Sequence, residues 1–298
     1  MQEVHAYLAA SESLIRTEGL TKPVKSQKIS KLHHIFSFLR IIHESTTLLE
    51  RIYQGGSGCG QAQNNATQDN HHTSGSRLAW VEEEEPEDSE EDSLFVSIYQ
   101  MPTTLLSLLS QTSSLYKQLH SPEGISATFG RRCQIIETRI FNWRAPKGLA
   151  FPNYDEAGES KTSATLSRDI AAHLVSATHY ALIVHFQRQI RNTNPRLLQH
   201  YVTAAIDHLL VHEQLKKSNQ ISSAPFPWPG FIVGCEAYDI ASREKMNIYL
   251  STVRSYNLGS LLKSEKVVYE VWKRQDSSRS DGHWEDVLRD WDMQLVLT

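Results

Sequence analysis

Cysteine is scarce: 298 residues hold three, Cys59, Cys133 and Cys235, widely spaced and with no C-x-x-C pair. No disulfide framework and no structural zinc site can be written from that spacing. Cys133 and Cys235 stand in apolar, helix-spaced text and read as small core residues. Cys59 falls in a glycine- and serine-rich stretch and reads as an exposed thiol. Long apolar runs are also missing, and none approaches the ~20 residues that a membrane-crossing helix needs. The opening MQEVHAYLAASESLIRTEGL has acids and a histidine where a secretory signal would have a continuous apolar core. No block of lysine and arginine occurs, so bulk electrostatics do not mark a nucleic-acid binder. Neither a G-x-S-x-G elbow nor a G-x-x-x-x-G-K-S/T phosphate loop is present. GGSGCG at 55–60 neither follows a strand nor opens a helix, which disqualifies it as a phosphate cradle.

What is present suits a globular chain. Hydrophobic residues make up 40% and charged residues 21%, enough apolar material for a sizeable core. The net charge of −4 is unevenly spread. Residues 82–92, EEEEPEDSEED, hold nine acids and no base, so the remainder sums to about +5 (−4 minus −9). The scattered arginines read as solvated helix faces.

Apolar residues recur at three- and four-residue spacing along most of the chain, and no convincing alternating strand appears. The spacing predicts helices over 2–17, 28–53, 101–119, 125–143 and 163–192. Further ones are predicted from 195 to about 217, from 230 to about 256 as one helix or a pair, over 258–274, and from 283 onward. Asn194-Pro195 is a strong helix start, with asparagine as N-cap and proline at the first helical position. The second half of 163–192 is apolar almost all round, so this helix should be the central, most buried one. Residues 54–93 are polar, glycine-rich and then acidic, too poor in apolar surface to offset the entropy of ordering them. The expected fold is therefore all-α: an array of about ten packed helices with one long disordered acidic insertion. Residues 1–53 hold its N-terminal helices, 54–93 the insertion and 94–298 the main helical domain.

Fourteen histidines raise the question of a metal. In HLLVHE, His208 and His212 share a helical face at i and i+4, and Glu213 follows. A zincin needs its glutamate between the histidines, so this order does not serve. The pairs His33-His34 and His71-His72 are adjacent, and adjacent side chains on a helix diverge. Asp239 with Glu244, and Glu285 with Asp286, carry no weight as acid–base pairs without a pocket. Trp143, Trp228, Trp272, Trp284 and Trp291 lie in or beside apolar helical text and read as core, each needing a partner for its indole N–H. No catalytic residue, cofactor or metal is expected.

The most informative stretch is PFPWPGFIVGCEAYDIASRE, residues 225–244. Three prolines bracket Phe226 and Trp228, which predicts a rigid extended entry to a buried helix starting near Gly230. Elementary chemistry assigns Glu236 and Arg243 to a buried ion pair at the turn, with Trp228 packed over it.

The same stretch resembles a signature of the fungal-specific transcription factor domain family of zinc-cluster regulators. The likeness is to the subgroup similar to arginine-metabolism regulators, in which a tryptophan-proline pair leads into a "GCEA" helix. The signature positions here are Trp228, Pro229, Gly234, Cys235, Glu236 and Arg243, read as structural. HAYLAASESLIR, KLHHIFSFLRIIHEST, MPTTLLSLLSQTSSL, RRCQIIETRIFNW, ALIVHFQRQIR and the closing VYEVWKRQD and HWEDVLRDWDMQLVL resemble further helices of that domain in order. The likeness runs from about residue 5 to 298. It implies a regulatory (effector and transactivation) domain acting in the nucleus on protein partners of the transcription machinery, with a small-molecule effector as a candidate and no membrane. The alternative is a helical scaffold or interaction domain without a transcriptional role. Such regulators carry a six-cysteine zinc cluster that three cysteines cannot build, so DNA would be reached through a missing domain or a partner. The abrupt start at Met1 is what truncation would leave, and a fragment or truncated gene model is the expectation.

Overall fold

The computed structural model describes residues 27–48, 101–122, 124–146, 163–277 and 282–297, with side chains of 27–34, 163 and 164 left aside. The expected helix 2–17, the insertion 54–93, Cys59 and His71-His72 lie outside the described residues. Among the described residues the structure is all helix, with no strand. In chain order the helices are α1 (Gln27–Ser45), α2 (Thr103–Leu119), α3 (Phe129–Asn142) and α4 (Ser163–Gln189). A short 3₁₀ turn (Pro195–Leu198) leads into α5 (Gln199–Ser218). Then come α6 (Pro227–Cys235), α7 (Ile240–Arg254), α8 (Gly259–Asp276) and α9 (Trp284–Asp290).

Local chemistry sets several boundaries. The Asn194 side chain accepts the Arg196 N–H at 2.9 Å, with Pro195 directly behind it. That is the cap the sequence predicts, although the first turn it opens is 3₁₀. Asp239 caps α7 by accepting the Ser242 N–H at 2.8 Å, satisfying one of the orphan donors of a helix start. Several helices end in residues with positive φ: Asn192 after α4, Gln220 after α5 and Asn257 after α7. After α5 the chain turns so that the Ile221 N–H reaches the Lys216 carbonyl at 2.9 Å, closing orphan acceptors of the last turn.

Helix α4, 27 residues long and so about 40 Å from end to end, is the axis of the array. Its residues 181–186 are buried without a break, because neighbours cover every side. It packs along α5, against the short α6, and against α2 and α3, while α5 also meets α6 and α7. Helix α8 closes the far side on α6, α7 and α9, and α1 lies on α2. One continuous core joins α1 to the C-terminal Leu295 and Leu297. Trp228, Trp272 and Trp284 are core and Trp143 is packed at its edge, as expected. Trp291 is 40% exposed, since it sits just past the end of α9 where no helix covers it. Cys133 and Cys235 are both buried.

Candidate functional site

Helix α6, PWPGFIVGC, is buried at every one of its nine positions. It begins at Pro227, one turn earlier than the sequence suggests. Pro227 and Pro229 both fall in the first turn, where backbone N–H groups have no intrahelical acceptor, so neither proline costs a hydrogen bond. Phe226 supplies the extended N-cap residue (φ −97, ψ 103). The residue before a proline is biased away from helix. Trp228 is helical nevertheless, because complete burial of its indole outweighs that bias.

Two glycines set how closely other helices approach. A Cβ on Gly230 would stand 2.6 Å from Tyr249 Cε1, and one on Gly234 would stand 2.8 Å from Met246 Cε and 3.2 Å from Val268 Cγ2. The face of α6 bearing both residues, four apart, is thus the seat of α7 and α8.

Trp228 is fully buried, and its Nε1–H donates to Ser45 Oγ at 2.8 Å. Ser45 in turn donates to the Ile42 carbonyl at 2.7 Å. The imidazole of His185 stands edge-on to the indole with 5.8 Å between ring centres. The Gly234 carbonyl accepts the Trp272 indole N–H at 2.8 Å, and the Cys235 carbonyl accepts from Gln275 at 3.3 Å. Burial first, then the nearby Glu236 charge, pushes the Cys235 thiol up, so it is no thiolate nucleophile.

Glu236 and Arg243 do not meet as the sequence suggests. Glu236 Oε2 lies 2.8 Å from Arg188 Nε of α4, with both side chains about 5% exposed. The approach is off the N–H axis, which makes it an ionic contact; Arg188 also donates through Nη1 to the Thr193 carbonyl at 2.8 Å. The chain turns after α6 and restarts at the Asp239 cap, which carries Arg243 toward α8. There its Nη1 reaches both oxygens of Asp276 (2.8 and 3.0 Å), Nη2 reaches Gln275 (2.8 Å) and Nε reaches the Ala237 carbonyl (3.1 Å). The guanidinium lies over the Trp272 ring at 5.3 Å. The signature residues therefore form two neighbouring joints. One ties α4 to the end of α6; the other ties the α6–α7 turn to the end of α8.

Sequence reasoning missed Arg188, Gln275, Asp276, Ser45 and His185. Arg188, two residues after the largely apolar ALIVHF of the helix expected to be most buried, was itself the available signal. Among the histidines, His208 Nδ1 faces His173 Nδ1 at 2.9 Å, while His212 Nδ1 lies 2.9 Å from the Ile170 carbonyl. The two imidazoles of HLLVHE thus point to different partners. Glu213 is held in a buried network by Lys216 (3.1 Å) and the Tyr256 hydroxyl (2.7 Å). Of the carboxylate pairs, Asp239 is a helix cap, Asp286 pairs with Arg289 at 2.7 Å, and Glu285 accepts from Tyr116. What α6 offers chemically is packing and fixed charge.

Comparison with known proteins places these elements in context. A family model described as the fungal specific transcription factor domain matches residues 1–296. A curated relative, the arginine metabolism regulation protein II of Saccharomyces cerevisiae (strain ATCC 204508 / S288c), is 24% identical over 208 residues. That alignment covers 68% of this chain and 23% of the relative, so the chain spans about a quarter of that protein's length. No solved structure matches.

Proposed function

The chain belongs to the fungal-specific transcription factor domain family, and on that premise we propose that it is the regulatory region of a nuclear transcription regulator. Its work is to respond to an effector or a partner of the transcription machinery, not to catalyse a reaction. It would reach DNA through a zinc-cluster module or a partner outside these 298 residues, which hold only three cysteines. The match over residues 1–296 carries this reading.

The two joints on α6 support a way of working. A ligand shifts a protein between packings only by binding one better than the other, and such shifts need an element that many others touch. Helix α6 touches α4, α5 and α8, and the buried Arg188–Glu236 contact forms only when α4 and the end of α6 are in register. The signature residues serve that packing.

The test is a reporter assay in which the chain is fused to an unrelated DNA-binding domain. The expected result is a change in transcription over that domain alone. A soluble, nuclear fusion that leaves the reporter at the baseline would refute the reading and favour a helical interaction scaffold. In the same series, selection of the unfused chain on random duplexes should enrich no sequence.

A further inference from the structure

Beside Trp228 the packing opens into a crevice between α1, α2, α4 and the start of α9. Its cavity volume is about 10 Å³, the room of a single water-sized group such as an ammonium head, with the mouth open to solvent. Its walls carry Glu44, Ser113, Tyr116, His185, Gln189 and Glu285. Two of these groups are in an unusual state.

The first is Glu285, whose side chain is only 13% exposed. The Tyr116 hydroxyl donates to its two oxygens (2.8 and 2.7 Å) and Gln189 Nε2 to one of them (3.2 Å). Burial and the Glu285 charge push the Tyr116 phenol up, so that donor stays neutral. Among the described residues no lysine or arginine forms an ion pair with Glu285; His283 lies 3.8 Å away, and the Arg289 charge is felt at Tyr116 without pairing with this carboxylate. The buried carboxylates Glu213 and Glu236 by contrast have Lys216 and Arg188. A carboxylate removed from water without a fixed cation is costly.

The second is His185, which is 4% exposed and has no hydrogen-bond partner among the described residues. Burial, then the neighbouring His283, holds its pKa to about 3, so the ring is neutral and keeps one lone pair. The crevice thus joins a negative charge to a neutral acceptor. Ser113, whose hydroxyl hydrogen is committed to the Leu109 carbonyl at 3.1 Å, adds oxygen lone pairs, and Glu44 at the mouth is already paired with Lys117 at 2.9 Å.

We propose that this crevice binds a small primary ammonium group, seated between the Glu285 carboxylate and the His185 imidazole. A primary ammonium is compact and carries three donors that can diverge toward separate acceptors. A guanidinium is a wider flat fork. A metal ion would want at least three side-chain ligands, and no such group of His, Cys, Asp or Glu occurs among the described residues. Occupancy would press on His185 and so on Trp228, which makes the site a place for an effector; that consequence, unlike binding itself, rests on the regulatory reading above.

The test uses the purified 298-residue chain and methylammonium chloride, read by saturation-transfer NMR and by melting temperature. Tetramethylammonium and sodium chlorides at equal ionic strength are the comparators. Methylammonium alone should give a saturable signal and a rise in melting temperature. Glu285→Gln should weaken it at least tenfold. Should that variant fail to fold, His185→Leu, which is close to histidine in volume and has no lone pair to offer, should weaken it at least fivefold. Equal responses to sodium or tetramethylammonium, or wild-type binding by the folded variants, would overturn the proposal. A chain that drives the reporter yet ignores methylammonium refutes this inference alone; one that binds it with an inert reporter refutes the regulatory reading alone.

Discussion

Replacing Trp228 by alanine removes an indole that is fully buried. An aromatic side chain of this size buries on the order of 200 Å², which at ~25 cal/mol per Å² corresponds to about 5 kcal/mol. Large-to-alanine changes of aromatic core residues typically cost ~3–5 kcal/mol, the spread reflecting how far the site collapses. Collapse is restricted here, because α6 is gripped by α4, α5 and α8 and cannot sink into the void. The lost bond to Ser45 is a smaller loss, since Ser45 keeps its own bond to the Ile42 carbonyl. At roughly 2–4 °C per kcal/mol for a chain of this order of size, the melting temperature should fall by roughly 6–20 °C. Trp228→Phe separates the contributions: it keeps most of the area, loses the N–H, and should cost ~1–2 kcal/mol. Both are read by circular dichroism melts and urea titration. If the alanine variant melts with the wild type, or phenylalanine is as damaging as alanine, burial is not what Trp228 contributes.

The Arg188–Glu236 contact should behave as a buried pair: Arg188→Met or Glu236→Gln alone is expected to cost ~3–5 kcal/mol by stranding the other group. The double variant should lose clearly less than the sum in denaturant titrations, and simple additivity would show that the two side chains do not interact. Acid should weaken the fold through His185 and His208. Burial first, then His173, lowers His208 to about 4, and His185 lies at about 3. The unfolded chain takes these protons near pH 6.5 while the folded chain refuses them. Their contribution is therefore complete above about pH 6.5 and declines as the pH falls toward 4 for His208 and toward 3 for His185. The drop in melting temperature from pH 7.5 to 4.5 should be smaller in His208→Gln than in wild type, and an equal drop would contradict the assignment.

How much of this could be read beforehand depends on the range of the interactions. The Asn194 cap, the stop after α5, the apolar run YALIV (180–184) in α4 and the all-helical class each depend on residues within a turn or two of one another. That physics operates in the isolated segment, so it is visible in the chain. The start of α6 was misplaced by one turn because Pro227 and Pro229 satisfy an extended segment and a first helical turn equally well. Only the burial of Trp228 against α1 and α4 chose between them. Arg243 and Glu236, seven residues apart, looked like partners, and the Asp239 cap sent them to Asp276 and Arg188. Which carboxylate has a cation, and which, like Glu285, has only neutral donors, is likewise set where α2, α4 and α9 come together. Periodicity and caps in the sequence determined the helices; the tertiary structure decided their charges' partners, because a pairing energy exists only once distant segments are within a few ångströms.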